Sequence, residues 1–525
     1  MKFTWKNYLF FALIVFSLLL TGCNSDDTTA KEPASSQGND GSQPSGEESK
    51  QPDEDATEEG GRLIFAIAND VDGLDPHRTV SASTFQVSHN IYETLVSVTP
   101  QGELVPQLAK EWEMSDDNKT WVFTLQEGVT FHNGKEFTAE DVVFTLDRLK
   151  EEDSPRVGEY ANIINYEATG ELEITMELES VDATFLSQLA NPWSAIVHLE
   201  DDEKLYGTGP FELVTWEPQQ YIELVKNEHY YEAGKPHLDE VRFEIIPNAS
   251  TLMANLQSEV VHIGGVSGEQ LPQLENLPHL KMQGASQNSV QLMAMNNERE
   301  PLNDVRVRQA ISKAINKGDI IEGASWGFGD ALGSHLPPLS PFYVDTNDVL
   351  PYDMDAAVAL LTEAGYPDGF EITLSLPEGY DVHVNAGQII ADQLSRIGID
   401  VKIEIVEWGI WLEDIYRGRK YDLTVISHTG RLDPHAFLNR YRMENAENYF
   451  NYVNEDVDTA IADAVVELDL EKRKELYAFV QQTLAEEVPA VYLQSTKGIT
   501  AVHSTVHGYE SFPIGIIHLK DVYFE

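Results

Sequence analysis

From residue 62 onward, short apolar runs alternate with amphipathic stretches along this chain, without a detectable internal repeat. Leu63-Ile64-Phe65-Ala66-Ile67 contains no polar residue, the pattern of a strand buried on both faces. Trp121-Val122-Phe123-Thr124-Leu125 is rich in β-branched and aromatic residues, and Asn133-Gly134 is a turn signal. Thr138 followed three residues later by Asp141 predicts a capping box ahead of Val142, Val143, Phe144 and Leu146, whose spacing makes one apolar face. Asp304 precedes a helix carrying Val305, Ala310, Ile311 and Ala314. A further helix is predicted over Tyr352 to Ala364, stopped by Gly365, with the strand Phe370-Glu371-Ile372-Thr373-Leu374 after it. Such alternation predicts a mixed α/β architecture in at least two lobes, and 525 residues exceed one compact domain several times over.

The first 61 residues follow a different pattern. Lys2 and Lys6 precede an apolar stretch from Tyr8 to Leu20, long enough for the core of an export signal and short of the roughly 20 residues of a membrane-spanning helix. Leu20-Thr21-Gly22-Cys23 resembles a bacterial lipobox, which makes residues 1–22 a lipoprotein signal peptide and Cys23, the only cysteine, the lipidation site. Asn24 to Gly61 holds no aromatic residue and no aliphatic one larger than alanine, with 11 acidic and 2 basic side chains. Such a segment buries too little to offset its ordering entropy, so residues 23–61 are expected to be a lipidated cysteine and a disordered acidic tether. The localisation implied is the cell membrane, lipid-anchored and facing the extracytoplasmic side.

Composition removes several classes of function. The 35 Lys and Arg stand against 88 Asp and Glu, a net charge of −53 that opposes phosphate backbones, and nucleic acid is excluded as a partner. GxxxxGK[ST] is absent, and Gly327-Phe328-Gly329 lacks the third glycine of a dinucleotide turn. Gly264-Gly265-Val266-Ser267-Gly268 is not a nucleophile elbow, having its glycine one place too early. HExxH does not occur. His503 and His507 fall in a strand-like stretch that sets their rings about 13 Å apart, as surface histidines. Asp70, Asp72 and Asp75 lack the glutamate that would complete a calcium loop and are read as an ordinary loop. With no catalytic constellation, no metal set and no cofactor motif, the chain reads as a receptor rather than an enzyme.

Several long segments then carry a resemblance. Gly102 to Ala109 with Glu111-Trp112, Thr120 to Leu125, Phe131-His132-Asn133-Gly134, Thr138 to Val142, Gly207-Thr208-Gly209-Pro210-Phe211, Val305 to Ile311 and Tyr352 to Phe370 closely resemble the family 5 solute-binding proteins, receptors of peptide and nickel ABC importers. The resemblance covers Leu63 to Glu525. It implies an α/β, two-lobed periplasmic-binding-protein-like fold with an extra subdomain in the first lobe and two hinge crossovers. Residues 62–284 would form lobe I, with the subdomain at about 82–205; 285–494 would form lobe II; and 495–525 would return to lobe I. A monomer serving ABC permease subunits in the membrane is implied. The ligand would be a small solute, most readily a short peptide, with nickel or another metal chelate as the alternative. A secreted hydrolase and a transporter-independent sensor are the alternatives of other classes.

The same resemblance marks Ser427 to Leu438 as a pocket-lining loop. Asp433-Pro434-His435-Ala436-Phe437 looks like the nickel-chelate receptors, but their metal-contacting histidine falls on Ala446 and their chelate-binding arginine on Trp193. The aspartate with which peptide receptors hold a peptide's amino terminus falls on Gly430. Arg431 offers a bidentate donor for a carboxylate, and Trp193, Trp408 and Trp411 offer apolar walls. Thr429, Gly430, Asp433, His435 and Tyr449 complete the expected substrate-binding set. Each has a bland reading beside it: Arg431 paired with a nearby carboxylate, the tryptophans in the core, His435 capping a helix or buried.

Overall fold

The computed structural model describes residues 60–200, 204–429 and 432–525; Cys23 and its tether, Gly430 and Arg431 lie outside them. The predicted strand at 63–67 is Arg62–Ile67 (β1), in the middle of a sheet because its apolar run tolerates partners on both edges. With it run Phe211–Glu217 (β2), Tyr221–Lys226 (β3), Glu240–Ile245 (β4), Ile263–Val266 (β5) and Leu280–Ser286 (β6). A second group comprises Ser289–Met295 (β7), Phe370–Pro377 (β8), Ile399–Val406 (β9) and Leu423–Thr429 (β10). One long strand, Ala490–His503 (β11), belongs to both: its residues 499–502 pair with β5, 497–503 with β6 and 490–494 with β7. The strand order is β2-β3-β4-β1-β5-β11-β7-β10-β8-β9, with β6 on β11 off this path.

Each group has its own core. Leu63, Phe65, Phe211, Leu224, Val241 and Phe243 bury against Val502, Ile517, Leu519 and Val522, so the chain's tail is built into the same core as β1. On the other side Met293, Ile311, Leu374, Ile390, Leu423 and Val491 form one cluster, and a largely aromatic cluster around Tyr441, Tyr449, Phe450 and Tyr477 forms another. A separate four-stranded antiparallel sheet, Ala109–Met114, Thr120–Leu125, Glu173–Leu178 and Ile163–Gly170, is covered by helix Ala139–Leu149 around Phe123, Phe131 and Leu146.

Local signals explain where these elements start and stop. The Thr138/Asp141 capping box forms, with Thr138 N donating to Asp141 Oδ2 at 3.0 Å, and Lys135 pairs with the same carboxylate. Asp304 and Asp353 cap helices Val305–Ala314 and Met354–Glu363 through their side chains. Gly365 ends the latter at φ +95°, a conformation open to glycine without strain. One expectation is corrected. His503 and His507 do not share a strand: β11 ends at His503 and a separate short strand, Val506–His507, follows. His503 is also buried, not superficial, because its ring lies 5.9 Å from those of both His262 and His279. No helix among the described residues is long and apolar enough to cross a membrane.

Candidate functional site

The chain passes between the two strand groups twice. Residues 287 and 288 link β6 to β7, and on β11 the pairing changes partner between residues 494 and 497. Polar side chains cross-link the passages. Ser289 and Thr496 share a hydroxyl hydrogen bond of 3.0 Å, and Gln494 Nε2 donates to Gln291 Oε1 at 2.7 Å and to Ser325 Oγ at 2.8 Å. Both glutamines are fully buried. Two chain passages bridging two cores are the construction of a hinge, the one on β11 being paired with Gly329–Ala331 at residues 494–496.

Beside these passages, at the carboxyl end of β1, lies a cavity of about 670 Å³ lined by Phe65, Asp70, Gln86, Gln287, Tyr509 and Phe512 among others. Asp70 is its only charged lining residue among those described, and its carboxylate is already engaged by Val71 N at 2.8 Å, Trp216 Nε1 at 3.1 Å and Gln219 N at 2.7 Å. Apart from that carboxylate, the cavity offers neutral polar groups and aromatic faces, a lining for uncharged parts of a ligand. Its size lies within the range of small-molecule sites.

A smaller cavity, about 210 Å³, lies between Glu159, Gln188 and Asn191 on one side and Leu432, Asp433 and His435 on the other. Here the structure brings two expected site residues together. Asp433 Oδ1 accepts from His435 N at 2.8 Å, starting the short helix His435–Leu438, and from Arg473 Nη2 at 2.8 Å. His435 Nδ1 is buried without a partner, and burial holds the imidazole below its ordinary pKa despite Asp433 nearby. Across the gap, Asn191 Nδ2 donates to the Ser187 and Gln188 carbonyls at 3.2 and 3.3 Å, which fixes the amide and leaves Oδ1 buried without a partner. Trp193 stands behind this wall. Its Nε1 donates to Glu159 Oε2 at 2.9 Å, the Arg156 guanidinium lies 4.0 Å from the ring centroid, and Phe85 packs at 5.5 Å.

The remaining expected residues are spread more widely. Thr429 is exposed at the end of β10, opposite Ser289 in register. Trp411 is buried, donates from Nε1 to Thr424 Oγ1 at 2.9 Å and stacks on the half-buried Trp408 at 5.1 Å. Tyr449 is wholly buried, and its hydroxyl lies 3.2 Å from His428 Nε2. That histidine continues a chain of buried contacts through His335 at 2.9 Å to Tyr441 at 2.8 Å and Tyr492 at 2.9 Å. Burial and the nearby Arg440 keep both imidazoles neutral, well below their usual pKa. No group of three or more metal-ligating side chains suited to an ion occurs among the described residues.

Residues 103–449 match the family model for bacterial extracellular solute-binding proteins, family 5 Middle, about two thirds of the chain. The chain belongs to this family. It is 29% identical over 510 residues to the dipeptide-binding protein of Escherichia coli (strain K12), covering 88% of this chain and 94% of that one. The periplasmic binding protein DppA from Helicobacter pylori, solved in complex with the peptide STSA, superposes with a TM-score of 0.72 at 28% identity, covering 89% of this chain and 99% of DppA. The murein tripeptide-binding protein MppA, in its unliganded open form, gives 0.80 at 22% identity, covering 89% and 98%. The two-lobed α/β fold of this family is the one expected from the sequence.

Sequence reasoning missed the walls of the larger cavity. Phe65 to Asp70 and Tyr509 to Ile517 are separated by more than 400 residues and meet only in the folded chain. A signal existed for the first of them, since ligands of open α/β sheets gather beyond the carboxyl ends of strands, and β1 ends at Ile67 in a loop.

Proposed function

We propose that this family 5 receptor captures short peptides between its lobes, closes on them about the passages at 287–288 and 495–496, and delivers them to an ABC permease in the membrane to which Cys23 anchors it. The observation that carries this reading is the cavity of about 670 Å³ beside the hinge, whose described lining is uncharged apart from Asp70. A short peptide is mostly uncharged backbone and side chain between two charged ends, and such a lining suits its middle. A dipeptide-binding relative and a structural neighbour solved with a peptide support the same ligand class. Arg431 is the residue we assign to the peptide carboxylate. No catalytic role is proposed.

Closure requires that the ligand interact better with the closed than with the open arrangement. Native mass spectrometry of the purified protein, followed by calorimetry with the peptides found, identifies the ligand, and small-angle scattering then measures the radius of gyration with and without it. Contraction on binding is expected. A peptide that binds tightly and leaves the radius unaltered rules out capture by lobe closure. For the anchor, Cys23→Ser should release the protein from membranes and abolish incorporation of a lipid label.

A further inference from the structure

A cavity of about 530 Å³ shares no lining residue with either cavity described above, and all its described lining residues fall between Leu74 and Leu213. It therefore lies on the first lobe alone, and no residue of the second strand group contributes to it. Its floor is apolar, with Leu74, Ile91 and Leu205 among the lining residues. Three polar side chains face it with acceptor capacity to spare. Tyr92 is 5% exposed, and its hydroxyl has no hydrogen-bond partner among the described residues. His132 Nε2 lies 3.0 Å from the Gly209 carbonyl and must carry the proton of the neutral ring, which leaves Nδ1 as an acceptor. Glu212 has neither an ion pair nor a hydrogen bond to a described residue.

The charges around these groups decide the ligand. Arg148 also lines the cavity, but its guanidinium is held by Asp75 through contacts of 2.6 and 3.4 Å and by His77 Nδ1 at 2.9 Å, so its charge is matched in place. Lys204 lies 4.7 Å from the centroid of the Tyr206 ring. Burial lifts the Glu212 carboxyl above its usual pKa, against the pull of His229 and Lys204. A carboxylate without a hydrogen bond to a described residue, an imidazole lone pair and a phenol oxygen over an apolar floor suit a donor with an apolar body.

We propose that this cavity is a second ligand site, distinct from the cleft, for a small apolar molecule carrying a primary ammonium group. The ammonium would lie on Glu212 with Tyr92 and His132 as further acceptors, and the apolar chain on the leucine and isoleucine side chains. Such a group could belong to a free alkylamine or to the amino-terminal residue of a peptide.

Calorimetry of the full chain at pH 7.5 with n-hexylamine, leucinamide, hexanoic acid and 1-hexanol tests this. Hexylamine should bind, 1-hexanol roughly tenfold more weakly and hexanoate not measurably. Binding of hexylamine without leucinamide assigns the site to free alkylamines; binding of both admits a peptide amino terminus. Glu212→Gln should weaken hexylamine by roughly tenfold, and Tyr92→Phe, which keeps the buried ring, by a few-fold. The proposal is overturned if neither amine binds, if hexanoate binds as well as hexylamine, or if both variants bind hexylamine as the wild type does.

Discussion

Arg473 Nη2 donates to Asp433 Oδ1 at 2.8 Å, tying the turn at the mouth of the smaller cavity to helix Leu470–Glu487. The side chains are only 7% and 11% exposed, and Arg473 Nε also donates to the Ala464 carbonyl at 2.9 Å. Removing one partner of such a pair strands the other charge, at a cost of about 3–5 kcal/mol. Arg473→Met, which fills the space without the charge, should therefore lose nearly as much stability as Arg473→Ala. Urea unfolding of both variants checks this. A loss below 1 kcal/mol in either would mean that water reaches Asp433.

Glu93 supplies a pH dependence of the opposite kind from most carboxylates. It is fully buried among Tyr230, Tyr231, Thr208 and Gln107, whose donors lie 2.8, 3.2, 2.9 and 3.2 Å away. Burial nevertheless holds its pKa up to about 7. Between roughly pH 4.5 and 7 the folded chain keeps a proton that the unfolded chain releases, so stability falls as pH rises through this window, by a few kcal/mol in all, and is level above it. Glu93→Gln removes this component. The difference in unfolding free energy between wild type and variant should change steadily from pH 5 to 7 and then flatten; a constant difference would show that Glu93 is ionised throughout.

The buried histidines work in the other direction. Burial pushes His77, His89, His132 and His383 down to about 4, and His335, His428 and His518 well below their usual value. A depressed histidine contributes stability that is complete above its unfolded pKa near 6.5 and is lost as pH falls through that value toward the folded pKa. Each contributes up to about 1.4 kcal/mol per pH unit once the unfolded chain is protonated there. Seven such groups outweigh one glutamate, so the wild type should lose stability steeply from pH 6.5 to 5. Unfolding midpoints that stay level over that interval would contradict the neutral state assigned to these rings.

What the sequence revealed follows from how local each signal is. The strand at 62–67, the capped helix after Thr138 and the stop at Gly365 are written in a few adjacent residues, and each forms where its pattern lies. β11 was not legible as one 14-residue strand, because its middle, Thr496-Lys497-Gly498, is poor strand sequence held by partners about 170 to 210 residues away, in Gly329–Ala331 and in β6. The candidate site divides in the same way. Asp433 and His435 stand together because the loop that carries them is contiguous, whereas nothing in the sequence near Trp411 or Tyr449 says whether an aromatic ring fills a core or lines a cleft. That depends on Tyr416 and Tyr421, which close over them in the folded chain.

Two glycines of the segment that carries the family resemblance should respond differently to alanine. Both have positive φ, +95° at Gly365 and +74° at Gly369. A Cβ on Gly365 meets nothing within 4 Å, so Gly365→Ala should cost only the backbone strain, about 1 kcal/mol. A Cβ on Gly369 would lie 1.8 Å from the Gly398 carbonyl oxygen, a backbone atom that cannot rotate away. Gly369→Ala should cost at least about 3 kcal/mol, because the turn before β9 must move. Equal losses in denaturant unfolding would refute the close approach of these two turns.

The last prediction concerns the wall that faces Asp433 and His435. Asn191 cannot turn its amide round, since its Nδ2 serves the Ser187 and Gln188 carbonyls, and its Oδ1 is left as a buried acceptor without a partner. An unpaired buried acceptor costs about 1–3 kcal/mol, and a peptide N–H or amino group entering the cavity would relieve it. If the peptide captured in the cleft reaches this cavity, Asn191→Ala should weaken its binding by about 5- to 15-fold, a change of about 1–1.5 kcal/mol. Asn191→Asp keeps the oxygen and adds charge, so it should favour peptides with a free amino terminus over N-acetylated ones, although losing the two carbonyl contacts lowers stability. Calorimetry with a free and an N-acetylated form of the same peptide separates these effects. Unchanged affinity in Asn191→Ala, with the fold intact by circular dichroism, would place the peptide entirely in the larger cavity beside the hinge.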